Sequence, residues 1–316
     1  MKKFLKYGTP VVVVLLLVVL AFAGNYMLKF SLTPYDGERT FNEEEVYAEL
    51  YEDYPFMEEW VDSMKTEGAL KDTTIVNRDG DKLHGYFFAA PQATDKTVVV
   101  VHGYKDCAIE FFFLGRMYNH DLNFNVLMPD LYYHGYSEGK AVQMGWKDRL
   151  DVLQWMDVAA QLFPGTKMMV HGVSMGAATT MNVSGEELED YVKCFIEDCG
   201  YTSVWDEFKK ELKEQFGLPA FPLMHVASMV CKWKYGWSFQ EAAPLKQVTK
   251  CKLPMLFIHG DADTFVPTWM VYPLYEAKPE PKEIWITAGV KHAESYHDYP
   301  VEYTQKVREF TAKYMK

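Results

Sequence analysis

The chain has 316 residues, 49% of them hydrophobic and 16% aromatic, enough apolar side chain for one large core. A formal net charge of −12 leaves no electrostatic footprint for nucleic acid. The five cysteines (Cys107, Cys194, Cys199, Cys231, Cys251) form no CxxC pair and no zinc spacing, so they read as buried free thiols. A Cys194–Cys251 bridge is the alternative in an oxidising compartment.

Lys2, Lys3 and Lys6 precede 22 uncharged residues, Tyr7–Leu28, centred on the apolar run Val11–Ala23. As a helix this stretch reaches about 33 Å, enough to cross a hydrocarbon core of about 30 Å. Ala21-Phe22-Ala23 also fits a cleavage site before Gly24, which would release a secreted form. The retained anchor is the preferred reading over the signal peptide. Both place the main domain outside the cytoplasm, because the lysines stay inside.

Residues 1–28 are therefore assigned to the anchor or signal, and 29–72 to a linker with helix around Glu43–Lys65. Residues 73–316 form the main domain. Thr73–Asn77 and Leu83–Ala89 flank Arg78-Asp79-Gly80-Asp81, a hairpin pattern. Short apolar runs then mark buried strands at Thr97–Val101, Asn125–Met128, Lys167–Val170, Val192–Ile196, Pro254–Ile258 and Glu283–Thr287. Helices are predicted between them at Ile109–Asn119, Trp146–Phe163, Met175–Val183, Trp269–Ala277 and Val301–Tyr314. Such alternation implies an α/β fold, a mostly parallel central sheet with helices on both faces. The aromatic, helix-prone stretch 201–245 interrupts the rhythm and reads as a helical cap above the carboxyl ends of the strands.

Gly172-Val173-Ser174-Met175-Gly176 fits G-x-S-x-G between a strand and a helix start. A serine on that tight turn is presented at a helix N-terminus, where backbone N–H groups favour negative charge. His292, just past the last predicted strand, lies at the same sheet edge and is the candidate base; His297 is the alternative. For the acid that orients the base, Asp263 in the loop after Pro254–Ile258 is preferred over Asp261 and Asp198. The chain order Ser, Asp, His is that of the α/β-hydrolases. Two oxyanion donors are assigned, the backbone N–H groups of Met175 and Tyr104, the latter in the His102-Gly103-Tyr104 loop. His102 itself reads as structural.

Together these residues resemble the α/β-hydrolase superfamily. The likeness is greatest to its exported or membrane-anchored bacterial branch, related to serine aminopeptidases and acyl esterases. Matching segments run through nearly all of 73–316: Val101-His102-Gly103, Asp130 with His134-Gly135-Tyr136-Ser137-Glu138-Gly139, Gly172–Gly176, His259-Gly260 with Asp263 and Val266-Pro267, and His292-Ala293-Glu294-Ser295. The resemblance implies a triad of Ser174, Asp263 and His292, with Tyr104 and Met175 on the oxyanion. Tyr132 stands where that family often has arginine, a change that bears on substrate shape.

The expected chemistry is acyl transfer to water through an acyl-enzyme, with no metal or organic cofactor implied. A carboxylic ester with an apolar acyl or aryl group is the preferred substrate, given the aromatic cap. A peptidase acting on short peptides is the alternative enzyme. A non-catalytic, membrane-tethered binding protein is the alternative from another class.

Overall fold

Runs of β-branched residues without polar alternation need apolar cover on both faces, and the central strands of this chain have it. The computed structural model describes residues 2–34 and 41–316. Helix α1 (Lys2–Leu32) leads to α2 (Glu43–Asp53) and α3 (Phe56–Thr66), then to the hairpin β1 (Lys71–Val76) and β2 (Lys82–Phe88). Strand β3 (Lys96–Val101) is followed by a 3₁₀ turn (Ile109–Phe111), the short α4 (Phe112–Arg116), a π-turn (Met117–Asp121) and β4 (Asn125–Pro129). Next come α5 (Asp148–Leu162), β5 (Lys167–Val173), α6 (Met175–Ser184) and β6 (Val192–Asp198). Three helices, α7 (Val204–Phe216), α8 (Leu223–Tyr235) and α9 (Pro244–Val248), precede β7 (Met255–Gly260). The chain closes with α10 (Val271–Ala277), β8 (Lys282–Thr287), α11 (Ser295–Asp298) and α12 (Pro300–Tyr314).

The eight strands form one sheet in the order β1-β2-β4-β3-β5-β6-β7-β8. β1–β2 and β2–β4 pair antiparallel; the other neighbours are parallel. Alternation along β3 feeds two cores: Val99 and Val101 pack into one, Val98 and Val100 into the other. α6 is buried along its whole length, and its small residues Gly176, Ala177 and Ala178 let it lie close on the sheet. The mostly parallel α/β architecture is the one expected from the sequence.

Three local elements differ from expectation. The helix at Ile109–Asn119 is broken into 3₁₀, α and π segments. The helix expected from Trp146 starts at Asp148, because Met144 and Gly145 turn through positive φ (49° and 72°) and Asp148 Oδ2 accepts from Gly145 N at 2.7 Å. α1 continues past Leu28 to Leu32, with Leu28 and Leu32 buried. A Cβ on Gly24 would lie 2.9 Å from Val226 Cγ1, so α1 meets α8 in close contact there. At its far end, Leu32 O accepts from Val142 N at 2.8 Å. All five cysteines are free and buried, and Cys194 and Cys251 are not bridged.

A polar chain ties α12 to the sheet beneath the site. Tyr118 Oη and His171 Nδ1 are 2.8 Å apart, and His171 Nε2 lies 2.9 Å from Tyr303 Oη, which donates to Asp198 Oδ2 at 2.9 Å. Burial lowers His171 to about 3, so a neutral ring accepts from Tyr118 and donates to Tyr303. Burial, with the nearby Asp263 charge adding, raises Asp198 to about 6, against the pull of the Tyr303 hydrogen bond and of His259 and His292. Between its unfolded value near 4 and about 6, the folded state therefore holds the extra proton, and this group's contribution to stability falls as pH rises. Asp198→Asn should remove that slope. Urea unfolding from pH 4 to 7 should show the wild type losing roughly 1–3 kcal/mol relative to the variant across the window.

Candidate active site

β5 ends at Val173, and the chain reverses into α6 through Ser174 at φ 57°, ψ −118°. That backbone is strained for any residue with a side chain, at a cost of about 1–3 kcal/mol. Only glycine fits on either side. A Cβ at Gly172 would lie 2.0 Å from Gly176 O, and one at Gly176 would lie 2.0 Å from Val101 O. Ser174 N donates to Asp198 O at 2.8 Å, which pins the turn to the end of β6.

Ser174 Oγ stands 2.8 Å from His292 Nε2, and His292 Nδ1 stands 2.7 Å from Asp263 Oδ2. With Nδ1 donating to the carboxylate, Nε2 is left to accept the serine hydroxyl. Asp263 is fully buried, and its Oδ1 accepts from Phe265 N and Val266 N, each at 2.9 Å. Burial alone would raise the carboxyl, but hydrogen bonds from His259 and His292 and their charge outweigh it and hold it below the usual range. The loops after β7 and β8 are locked together: Ala262 N donates to Val290 O, and Gly289 N to Asp261 Oδ1. Asp261 therefore braces the His292 loop and does not face the imidazole. Asp198 serves Tyr303, and His297 is exposed beside Asp298.

On the opposite side, the loop after β3 approaches the serine closely. A Cβ on Gly103 would lie 3.6 Å from Ser174 Cβ and 2.3 Å from Asp106 Oδ2. Met175 opens α6, so its N–H belongs to the helix turn whose donors lack intrahelical acceptors. His102 bridges the third- and fourth-strand loops, accepting from Leu131 N at 2.9 Å with Nδ1 at Gly103 O, the structural role expected. Asp130 holds the same loops, accepting from Ala108 N and Tyr136 N. Tyr132 donates to Asp81 Oδ2 at 2.9 Å and ties its loop to the β1–β2 turn.

A cavity of about 980 Å³ opens over Ser174, Met175 and Tyr104. The cap supplies Phe208, Leu212, Phe216 and Phe239, and Phe265 leans on His292 with ring centroids 4.9 Å apart. Two contributions went unpredicted. Tyr26, Met27 and Phe30 of α1 line the cavity, and the Tyr104 hydroxyl donates to Ser31 O at 2.8 Å. The spacing Gly24, Leu28, Leu32 carried the signal, one stripe of a helix facing a partner. Glu207 also lines the cavity; it is 4% exposed, and neither carboxylate oxygen has a hydrogen-bond partner. Burial, then the Glu211 charge, raises it to about 8, against the pull of Lys210. Among the described residues, one group brings three metal-type donors within 4.8 Å, namely Cys199, Asp263 and His292. Two of these are already committed to the serine relay.

A model of the prolyl oligopeptidase family matches residues 132–316. The uncharacterized protein YqkD of Bacillus subtilis (strain 168) is 29% identical over 232 residues, 73% of this chain and 75% of that one. The esterase Pf2001 of Pyrococcus furiosus superposes with a TM-score of 0.64 at 25% identity, covering 78% of this chain and 93% of that structure. The acylaminoacyl peptidase of Pyrococcus horikoshii shares the fold at 14% identity and a TM-score of 0.58, over 77% of this chain and 41% of its own. The sheet, the tight serine turn after β5 and these likenesses agree: the chain belongs to the prolyl oligopeptidase family and is a serine hydrolase of the α/β-hydrolase fold.

Proposed function

We propose that the chain hydrolyses a carboxylic ester with an apolar acyl group, using Ser174, His292 and Asp263. The observation that carries this is the unbroken relay of 2.8 and 2.7 Å hydrogen bonds, assembled from three separate loops. His292 Nε2 takes the hydroxyl proton as Ser174 Oγ attacks the carbonyl carbon. The tetrahedral oxyanion is held by the N–H groups of Tyr104 and Met175. His292 then protonates the leaving alkoxide, and water repeats the sequence on the acyl-enzyme. The relay gives no support to a non-catalytic binding role, which has no need of an oriented imidazole.

The ester preference rests on the ring-lined cavity, and the likeness to an esterase agrees with it. A peptidase reading is favoured by one observation, the unpaired Glu207. A substrate ammonium would give this carboxylate the partner it lacks.

For location, we propose that α1 is a retained membrane anchor with the hydrolase domain outside the cytoplasm. Pro10–Leu32 is long and apolar enough to cross a membrane, with a mean hydropathy of 2.6. The helix passes through Ala23 and Gly24 without a break and packs its end against the domain. The domain division proposed is an anchor to residue 28, an approach to 72 and a hydrolase domain from 73, capped over 201–245.

Ser174→Ala should abolish labelling by a fluorophosphonate probe that reacts with the wild type; equal labelling of both would remove Ser174 as nucleophile. Asp263→Asn should lower kcat on p-nitrophenyl esters by about 10⁴-fold, whereas Asp261→Asn leaves it near wild type. The reverse ranking would reassign the acid. On a panel of p-nitrophenyl esters and aminoacyl p-nitroanilides, the esters should turn over faster. Glu207→Gln separates the two substrate readings. If the peptidase reading holds, KM for the anilides rises about tenfold or more while esters lacking an amine are unaffected.

A further inference from the structure

α1 is 31 residues long, about 46 Å, which is more than a bilayer needs. Counting twenty residues from Lys6 spans about 30 Å and brings the outer membrane boundary to Tyr26, a residue type enriched at that interface. Around and beyond that point the helix packs on the enzyme. Gly24 sits against Val226 in the first turn of α8. Leu32 bonds to Val142, which shares a small cavity with Tyr235 and Trp237 at the other end of α8. α1 and α8 therefore run side by side in the same direction, with the start of α8 level with the membrane boundary.

Two things follow from that register. The α7–α8 connection, Gly217–Pro222, lies at the boundary, and it carries Leu218 and a Phe221 that is 73% exposed. The active-site cavity runs the same way. At one end Tyr104 is bonded to Ser31 beside Ser174, and the neighbouring Phe30 meets Phe216 edge-on; toward the other, Tyr26 and Leu223 form the wall. From Ser31 back to Tyr26 is about 8 Å along the helix. The cavity thus leads from the nucleophile toward the lipid surface, between the anchor and the cap.

We propose that the substrate is a lipid-like ester drawn from the outer leaflet, its acyl chain lying along Phe30 and Phe216, with the Leu218–Phe221 loop seated in the bilayer interface. This rests on the ester-hydrolase and anchor readings above. An exposed aromatic and an aliphatic residue beside a span are stabilised at an interface and not in water.

The test uses the full chain reconstituted in phosphatidylcholine vesicles. Phe221→Cys and, as a control on the far helix α12, the exposed Val301→Cys are each labelled with an environment-sensitive nitrobenzoxadiazole dye. The expected result is blue-shifted, several-fold brighter emission at 221 and water-like emission at 301. Water-like emission at both overturns the proposal, whatever the enzymatic result. In parallel, Phe221→Asp should lower hydrolysis of a vesicle-embedded long-chain umbelliferyl ester about tenfold, the scale of withdrawing one phenyl ring from lipid. Its rate on soluble p-nitrophenyl acetate should stay within about twofold, since the ring lies outside the cavity. Equal rates of variant and wild type on the embedded ester overturn the proposal while leaving the hydrolase reading intact. Loss of p-nitrophenyl acetate turnover and of fluorophosphonate labelling in the wild type would instead indict the hydrolase reading, and the dye measurement still decides the docking.

Discussion

The site depends on a backbone that would not hold itself. Ser174 sits at φ 57°, a conformation that costs free energy for a residue with a Cβ. It persists because its neighbours leave no alternative. β5 is clamped between β3 and β6, α6 is buried on all sides, and the carbonyls of Val101 and Gly176 approach too closely for any side chain at 176 or 172. The packing of three central strands is thereby converted into the position of one hydroxyl. His292 and Asp263 then come to it on loops after β8 and β7, which are tied to each other by main-chain hydrogen bonds and by the Asp261 carboxylate.

The surrounding electrostatics separate three acids of similar chemistry by environment. Asp263 receives two backbone N–H groups and faces two imidazoles, which keeps it charged and fit to stabilise an imidazolium. Asp198, at the end of β6, has a tyrosine hydroxyl and deep burial, and its pKa moves the other way, to about 6. Glu207 has burial without partners and reaches about 8. Burial alone therefore does not set the charge of a carboxyl here; the hydrogen bonds that favour its ionised form do.

Much of this was legible in the sequence because the relevant signals are short-range. Apolar runs such as Thr97–Val101 mark strands covered on both faces, and a serine between Gly172 and Gly176 marks a strand-to-helix turn. His292 and Asp263 could be placed because parallel topology sends every strand end to the same edge. What stayed hidden depends on contacts between distant segments. The break in Ile109–Asn119 follows no periodicity, since Phe111, Phe112 and Phe113 are all buried and mark no single face. Nothing in the local sequence sets Glu207 apart from the neighbouring Asp206, Lys209, Lys210 and Glu211; the cavity wall does. The end of α1 looked like linker because hydropathy reports only how apolar a helix is, not which protein surface it meets.

That last feature has a consequence for how such a protein can change. A terminal helix joined by a flexible linker is a replaceable part, and exchanging it leaves the domain it precedes unchanged. Here the final turns of α1 are also cavity wall, with Tyr26, Met27 and Phe30 lining the space over Ser174. Exchanging α1 beyond Gly24 for an unrelated helix would reshape the cavity over Ser174, and cutting it there would open one side of that cavity. The same nine residues, Gly24–Leu32, thus close a helix onto α8 and close one side of the cavity, and neither role can drift without the other.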